Sequence, residues 1–196
     1  MPFTVFDTPL INTLLRWISV FTLKLLGWKI IGSKPTEPRY VIVAAPHTSN
    51  WDFPFTLMVC FALNLNVHWM GKSSLFPPFI GGVMRWLGGI PVNREQAGHI
   101  VDATITAFKN ASYLTVIVPP EGTRGRVSTW KTGFYRIATG AQVPIALAFL
   151  DFKTRHGGIG KLFWPTGDLS VDLPEIQAFY AGITGKHPNR FNAGTD

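Results

Sequence analysis

The 196-residue chain contains a single cysteine, Cys60. An internal disulfide needs two thiols and a thiolate zinc site needs at least as many, so both are excluded. Charge is scarce as well. Asp, Glu, Lys and Arg make up 15% of the residues, where about 25% is usual for a soluble domain. The acidic side is the poorer one: 11 Asp and Glu stand against 18 Lys and Arg, for a net charge of +7. Basic runs are missing too, since no three Lys or Arg are adjacent. Nucleic-acid binders concentrate such residues on one face or in a tract, so the scatter disfavours DNA and RNA as partners. The chain also lacks an apolar stretch that reads clearly as a membrane-crossing helix. The uncharged stretch 53–71 is broken by Pro54, Asn64, Asn66 and His68, where a span needs about 20 mostly apolar residues.

What remains is apolar and aromatic. Hydrophobic residues reach 46%, with seven Trp and fifteen Phe, which excludes a disordered chain and points to apolar surfaces or a lipid interface. Scattered basic residues beside apolar ones suit an anionic membrane surface or a phosphorylated substrate. A solvated basic surface without a partner fits the composition equally. The length suggests one domain with a substantial core.

Residues 10–31 read as an amphipathic helix. At 100° per residue, Leu10, Ile11, Leu14, Leu15, Ile18, Phe21, Leu25 and Leu26 fall on one arc, bordered by Trp17 and Trp28. Asn12, Arg16, Ser19 and Lys24 lie opposite. Arg16, Lys24 and Lys29 interrupt it too often for a span. Asp7 and the absence of early positive charge do not suit a signal peptide. Such an arc either packs on its own domain or lies in a membrane interface.

Apolar runs at 40–45, 67–70, 90–92, 113–118, 143–150 and 159–164 read as strands. Pro91 places the third of them at an edge or a bend. Between them lie helical stretches at 52–65, from Pro77 and Pro78 through Leu87, at 97–109 and at 133–140, with a last helix at 174–183. Strands alternating with helices predict an α/β fold. The expectation is a single domain with a mostly parallel central sheet flanked by helices, preceded by an N-terminal amphipathic helix. The division is residues 1–31 for that helix and 32–196 for the α/β domain.

The first strand delivers His47-Thr-Ser-Asn-Trp-Asp52. Loops leaving the carboxyl ends of parallel strands hold the ligands of such folds. With His47 in the loop and Asp52 in the first helical turn, the carboxylate can bond Nδ1–H and leave Nε2 as a base. An aspartate capping a helix behind an ordinary loop histidine has the same spacing. The strand at 113–118 leads to Pro120-Glu-Gly-Thr-Arg124, and Gly88-Gly-Ile-Pro-Val-Asn-Arg94 follows the second loop. Each sets an Arg beyond a strand end, where a guanidinium fork grips phosphate or pairs with Glu121 or Glu95.

Together these blocks resemble the glycerolipid acyltransferases, the family of the lysophosphatidic acid acyltransferases. His47 and Asp52 match its H-x4-D block. Lys72-Ser-Ser-Leu75-Phe76 and the stretch to Arg94 match the second, residues 120–124 the third, and Val143-Pro-Ile145 the fourth, after Lys131 and Gly133. Pro46, Pro91 and Asn93 depart from the common pattern. The resemblance implies acyl transfer from acyl-CoA or acyl carrier protein to a hydroxyl of a lysophospholipid, lysophosphatidic acid foremost. It casts His47 and Asp52 as catalytic, and Lys72, Arg94, Glu121, Gly122, Thr123 and Arg124 as substrate-binding. Glu121 is expected to position Arg124 or a glycerol hydroxyl. No metal and no cofactor are implied beyond the thioester co-substrate. The implied place is the cytoplasmic face of a membrane, peripheral or monotopic. A non-glycerol lysolipid acceptor, or a lipid-binding protein of this fold without turnover, are the other readings.

Overall fold

A computed structural model describes residues 3–93 and 97–194. Seven strands form one sheet: β1 (Lys29–Ile31), β2 (Arg39–Ala44), β3 (His68–Lys72), β4 (Gly89–Val92), β5 (Leu114–Val118), β6 (Ile145–Asp151) and β7 (His156–Phe163). Their order across the sheet is β1-β7-β6-β2-β5-β3-β4. From β6 to β4 all neighbours are parallel. β7 runs antiparallel to β6, and β1 pairs parallel with β7. The sheet is mostly parallel, as the alternating elements predict, and β4, with Pro91, lies at its edge.

The helices are α1 (Pro9–Leu25), α2 (Asp52–Ala62), α3 (Gly81–Trp86), α4 (Ala97–Asn110), α5 (Gly133–Ala141) and α6 (Leu169–Tyr180). The central strand β2 shows how they sort. Side chains alternate across a strand, and both faces of β2 are covered. Val41 and Val43 pack with Phe108 of α4, Phe134 and Ile137 of α5, and Ile176 and Tyr180 of α6. Tyr40 and Ile42 pack on the other side, with Leu57, Cys60 and Phe61 of α2 and with Val5 and Phe6 of the N-terminal turn. Each such side chain removed from water contributes about 1.5–3 kcal/mol. Tyr180 also shares its hydroxyl proton between the carbonyls of Val43 at 2.9 Å and Ala148 at 3.2 Å, tying α6 to the end of β2 and the middle of β6.

The N-terminal helix is shorter than its apolar periodicity suggests. It stops at Leu25, not Ile31, because Gly27 takes a left-handed conformation with φ of 73°. Gly27 N–H donates to the Lys24 carbonyl at 3.0 Å and Trp28 N–H to the Leu23 carbonyl at 2.8 Å, a glycine-terminated C-cap of the Schellman type. Trp28 then turns inward against Phe55 and Phe152, and residues 29–31 become β1. Of the two readings of the apolar arc, the one that packs it on the domain is not what the structure shows. Ser19 and Leu23 are buried, while Leu10, Trp17, Phe21 and Leu25 are each more than two-thirds exposed. The helix therefore packs through a narrow, partly polar side that takes in Ser19, Leu23 and, from the arc, Leu15, and leaves most of the apolar arc in solvent.

The last helix begins earlier than expected, at Leu169 instead of Pro174. Asp168 accepts the Ser170 N–H at 2.9 Å as N-cap. Pro174 sits inside the helix and leaves the Ser170 carbonyl without its usual intrahelical donor.

Candidate active site

The carboxyl ends of the parallel strands all point to one edge, and the chain loops off β2, β5 and β3 meet there. β2 ends at Ala44, and the loop from Ala45 to Trp51 carries His47 before α2 starts at Asp52. Asp52 is buried in the first turn of α2. Its Oδ2 accepts the backbone N–H of Thr48 at 2.7 Å and of Ser49 at 2.8 Å. The same oxygen lies 3.2 Å from His47 Nδ1. One carboxylate oxygen thus folds the loop back on the helix and engages the ring, leaving Nε2 as the uncommitted nitrogen. His47 is partly exposed and lines a cavity.

That cavity has a volume of about 670 Å³. It runs between α2 and the sheet, from a polar mouth into an apolar interior. His47, Lys72, Thr123 and Arg124 line the mouth, and Leu57, Cys60, Leu65, Trp69, Ile117 and Ile159 belong to its lining. Burial pushes the Cys60 thiol up to about 12, so it stays protonated and acts as an apolar wall. These apolar residues were not legible as site residues, because the same pattern describes any helix packed on any sheet.

Of the residues expected to bind substrate, the structure brings Lys72, Thr123 and Arg124 to the cavity with His47 and Asp52. Glu121 and Gly122 are not part of its lining. Glu121 is 2% exposed, and its Oε1 accepts the backbone N–H of His47 at 2.9 Å. In the structure it holds the histidine loop instead of Arg124. Burial raises its pKa, and the His47 hydrogen bond works against that rise. Gly122 turns the chain with φ of 64°, and an added Cβ would meet Lys131 Cδ at 2.9 Å. Its N–H donates to the Pro119 carbonyl at 3.3 Å. Arg94 lies outside the described residues. Among the described residues no cluster of His, Cys, Asp and Glu could hold a metal ion.

The C-terminal segment also reaches the site, which no sequence signal announced. His187 N–H donates to Thr48 Oγ1 at 3.2 Å. Gly185 is pressed against Thr48, where a Cβ would meet Oγ1 at 2.8 Å. The histidine loop is thus fixed from three sides, by Asp52, by Glu121 and by this segment.

The site is thus a strand-end histidine held by a carboxylate, with Lys72 and Arg124 beside it on the lining of a largely apolar cavity. Comparison with known proteins places the chain in a class. Residues 29–147 match the acyltransferase family model, and the chain belongs to that family. Among solved structures its fold is similar to that of the 1-acyl-sn-glycerophosphate (LPA) acyltransferase PlsC from Thermotoga maritima. The two share 17% sequence identity with a TM-score of 0.55, over 87% of this chain and 81% of that one. No curated protein sequence matches the chain.

Proposed function

We propose that the protein is an O-acyltransferase of phospholipid biosynthesis. It moves a fatty acyl group from acyl-CoA or acyl carrier protein to a hydroxyl of a lysophospholipid, lysophosphatidic acid foremost. The observation that carries the reading is the 3.2 Å approach of His47 Nδ1 to Asp52 Oδ2 at the mouth of an apolar cavity. With Nδ1 engaged, Nε2 accepts the proton of the acceptor hydroxyl. The oxygen attacks the thioester carbonyl and forms the new C–O bond. As the tetrahedral intermediate collapses, the C–S bond breaks and the thiolate leaves. The imidazolium returns the proton to that sulfur, so the products are an ester and a free thiol. Asp52 stabilises the transient imidazolium and fixes the ring. Positioned general-base catalysis of this kind supplies about 10²–10⁴-fold. No acyl-enzyme is required, and buried Cys60 is not a nucleophile.

The remaining parts of the site fit the two substrates. An acyl chain occupies the apolar cavity beneath α2. Arg124 and Lys72 at its mouth neutralise the acceptor phosphate, and Thr123 adds a hydroxyl. The exposed arc of α1 lies in the lipid interface, and Lys24 and Arg16 flank it. No helix among the described residues is long and apolar enough to cross a membrane; the contact in this reading is interfacial and on the cytoplasmic face. The test is direct. Purified protein, an acyl thioester and lysophosphatidic acid are incubated, and lipid products are weighed by mass spectrometry. Phosphatidic acid carrying the donor's acyl chain supports the reading, and its absence with every thioester donor contradicts it.

A further inference from the structure

Residues 75–84, Leu-Phe-Pro-Pro-Phe-Ile-Gly-Gly-Val-Met, contain no polar side chain. They follow β3 and run into the first turn of α3. Phe79 is 85% exposed, Val83 and Ile80 are about half exposed, and Leu75 is over a third exposed. This is not a loose loop. Phe76 is buried and stacks on Trp69 at 5.6 Å. Gly81 is buried, and a Cβ there would meet the Phe76 carbonyl oxygen at 2.8 Å. Gly81 N–H donates to the Pro77 carbonyl at 2.7 Å. One side of the segment is therefore locked into the core while the other holds apolar tips in solvent.

Three further observations say what covers those tips. The segment adjoins the cavity: Lys72, Ser74, Leu75 and Met84 all line it together with His47. Along the chain the flanking charge has one sign. Lys72 and Arg85 bracket the segment, and no Asp or Glu stands between Asp52 and Glu95. The segment also lies on the same side of the sheet as α1, since Phe76, Met84 and Trp86 share a packed cluster with Phe6 and Leu15. A protein partner binds through a polar rim with about one hydrogen bond per 100–200 Å², which ten residues without a polar side chain do not provide. Apolar tips between basic residues suit an anionic lipid surface.

We infer that residues 75–83 are a second lipid-contacting element, at the mouth of the cavity, which seats Phe79, Ile80 and Val83 among the lipids of an anionic leaflet. This rests on the acyltransferase reading for its purpose. The mouth then opens into the leaflet, and a single-chain acceptor reaches His47 without its tail crossing water. α1 attaches the protein, and this element aims the site.

The experiment compares the full chain with a Phe79→Ser/Val83→Ser variant on vesicles of phosphatidylglycerol and phosphatidylethanolamine. Both side chains are exposed and outside the catalytic set. Removing two inserted apolar side chains lowers vesicle partitioning by about tenfold. Transfer to lysophosphatidic acid held in vesicles falls similarly, and transfer to a water-soluble short-chain acceptor is unchanged. In a second measurement, a polarity-sensitive dye on Phe79→Cys shifts to the blue on vesicles, buried Cys60 remaining unlabelled. Unchanged partitioning of the double variant, or a dye spectrum that stays that of water, overturns the inference. Intact vesicle binding with selective loss of transfer from acyl carrier protein would overturn it in favour of a protein dock. Partitioning and dye shift read the surface even if no acyl transfer is found, so failure of the activity assignment is separately visible.

Discussion

The Glu121 side chain accepts the backbone N–H of His47 at 2.9 Å from a position that is almost fully buried. A side chain at the end of β5 thereby sets the height of the loop at the end of β2. Removing it leaves a buried N–H without a partner, which costs about 1–3 kcal/mol. Glu121→Ala is expected to lower stability by that amount and to depress kcat. Glu121→Gln, which keeps an acceptor oxygen, restores most of the activity. Equal activity in Glu121→Ala and the wild type would remove the positioning role.

Burial raises the Glu121 pKa above the ordinary glutamate range, and the sign of its pH effect follows. Between the unfolded and folded values the native state holds the extra proton, so stability falls as pH rises through that window. Below the unfolded value, about 4.3, neither state bears the penalty. Acidification from neutral pH through that window is therefore expected to stabilise the wild type relative to Glu121→Gln. Urea midpoints of the two proteins across that range check it.

Arg124 lines the cavity mouth beside His47. A hydrogen bond to a charged group contributes about 1.5–3 kcal/mol, so Arg124→Ala should lower kcat/KM for the acceptor by roughly ten- to a hundredfold. The loss is expected in acceptor KM, with the donor KM little changed. Steady-state kinetics with each substrate varied in turn separate the two.

The apolar cavity offers a test through chain length. Ala148 lines it from β6, and Ala148→Leu narrows it. Each methylene no longer accommodated costs about 0.8 kcal/mol, so the variant is expected to favour shorter acyl donors than the wild type. Competition among thioesters of different length, read by mass spectrometry of the product, measures the shift.

Much of this arrangement is written in local pattern. The β-branched run of β2 and the H-x4-D loop after it place His47 and Asp52 in contact because helix geometry leaves Asp52 at the first turn. The run Leu-Thr-Val-Ile-Val of β5 likewise delivers Arg124 to the same edge. The end of α1 was legible in principle. Gly27 is a helix stop, but Trp28, Ile30 and Ile31 prolong the apolar periodicity past it and mask the change to β1. Pro174 misled in the opposite direction, since proline is most at home in a helix's first turn and here sits within α6. The Glu121 bond to His47 has no sequence signature, because its partner is a backbone amide that every residue but proline carries. The contact of Gly185 with Thr48 depends on the whole C-terminal path, which no local spacing encodes.

The exposed arc of α1 makes a prediction about attachment. Leu14 and Phe21 project from it, and replacing both by serine is expected to weaken flotation with anionic vesicles by about tenfold or more. The residual binding should be the more salt-sensitive part, carried by scattered positive charge. Substitution is a cleaner test than deletion of residues 1–31. Deletion would also remove buried Leu23 and Trp28 and the strand β1. Equal flotation of the variant and the wild type would return the arc to an idle surface.

The central claim is that His47, held by Asp52, takes the acceptor's proton. The most direct measurement is the rate of acyl transfer from a thioester to lysophosphatidic acid by wild type, His47→Ala and Asp52→Asn, each shown folded by its circular dichroism and thermal transition. The account predicts a loss of about 10²–10⁴-fold for His47→Ala and nearly as much for Asp52→Asn. A folded His47→Ala protein that transfers acyl groups at the wild-type rate would contradict it.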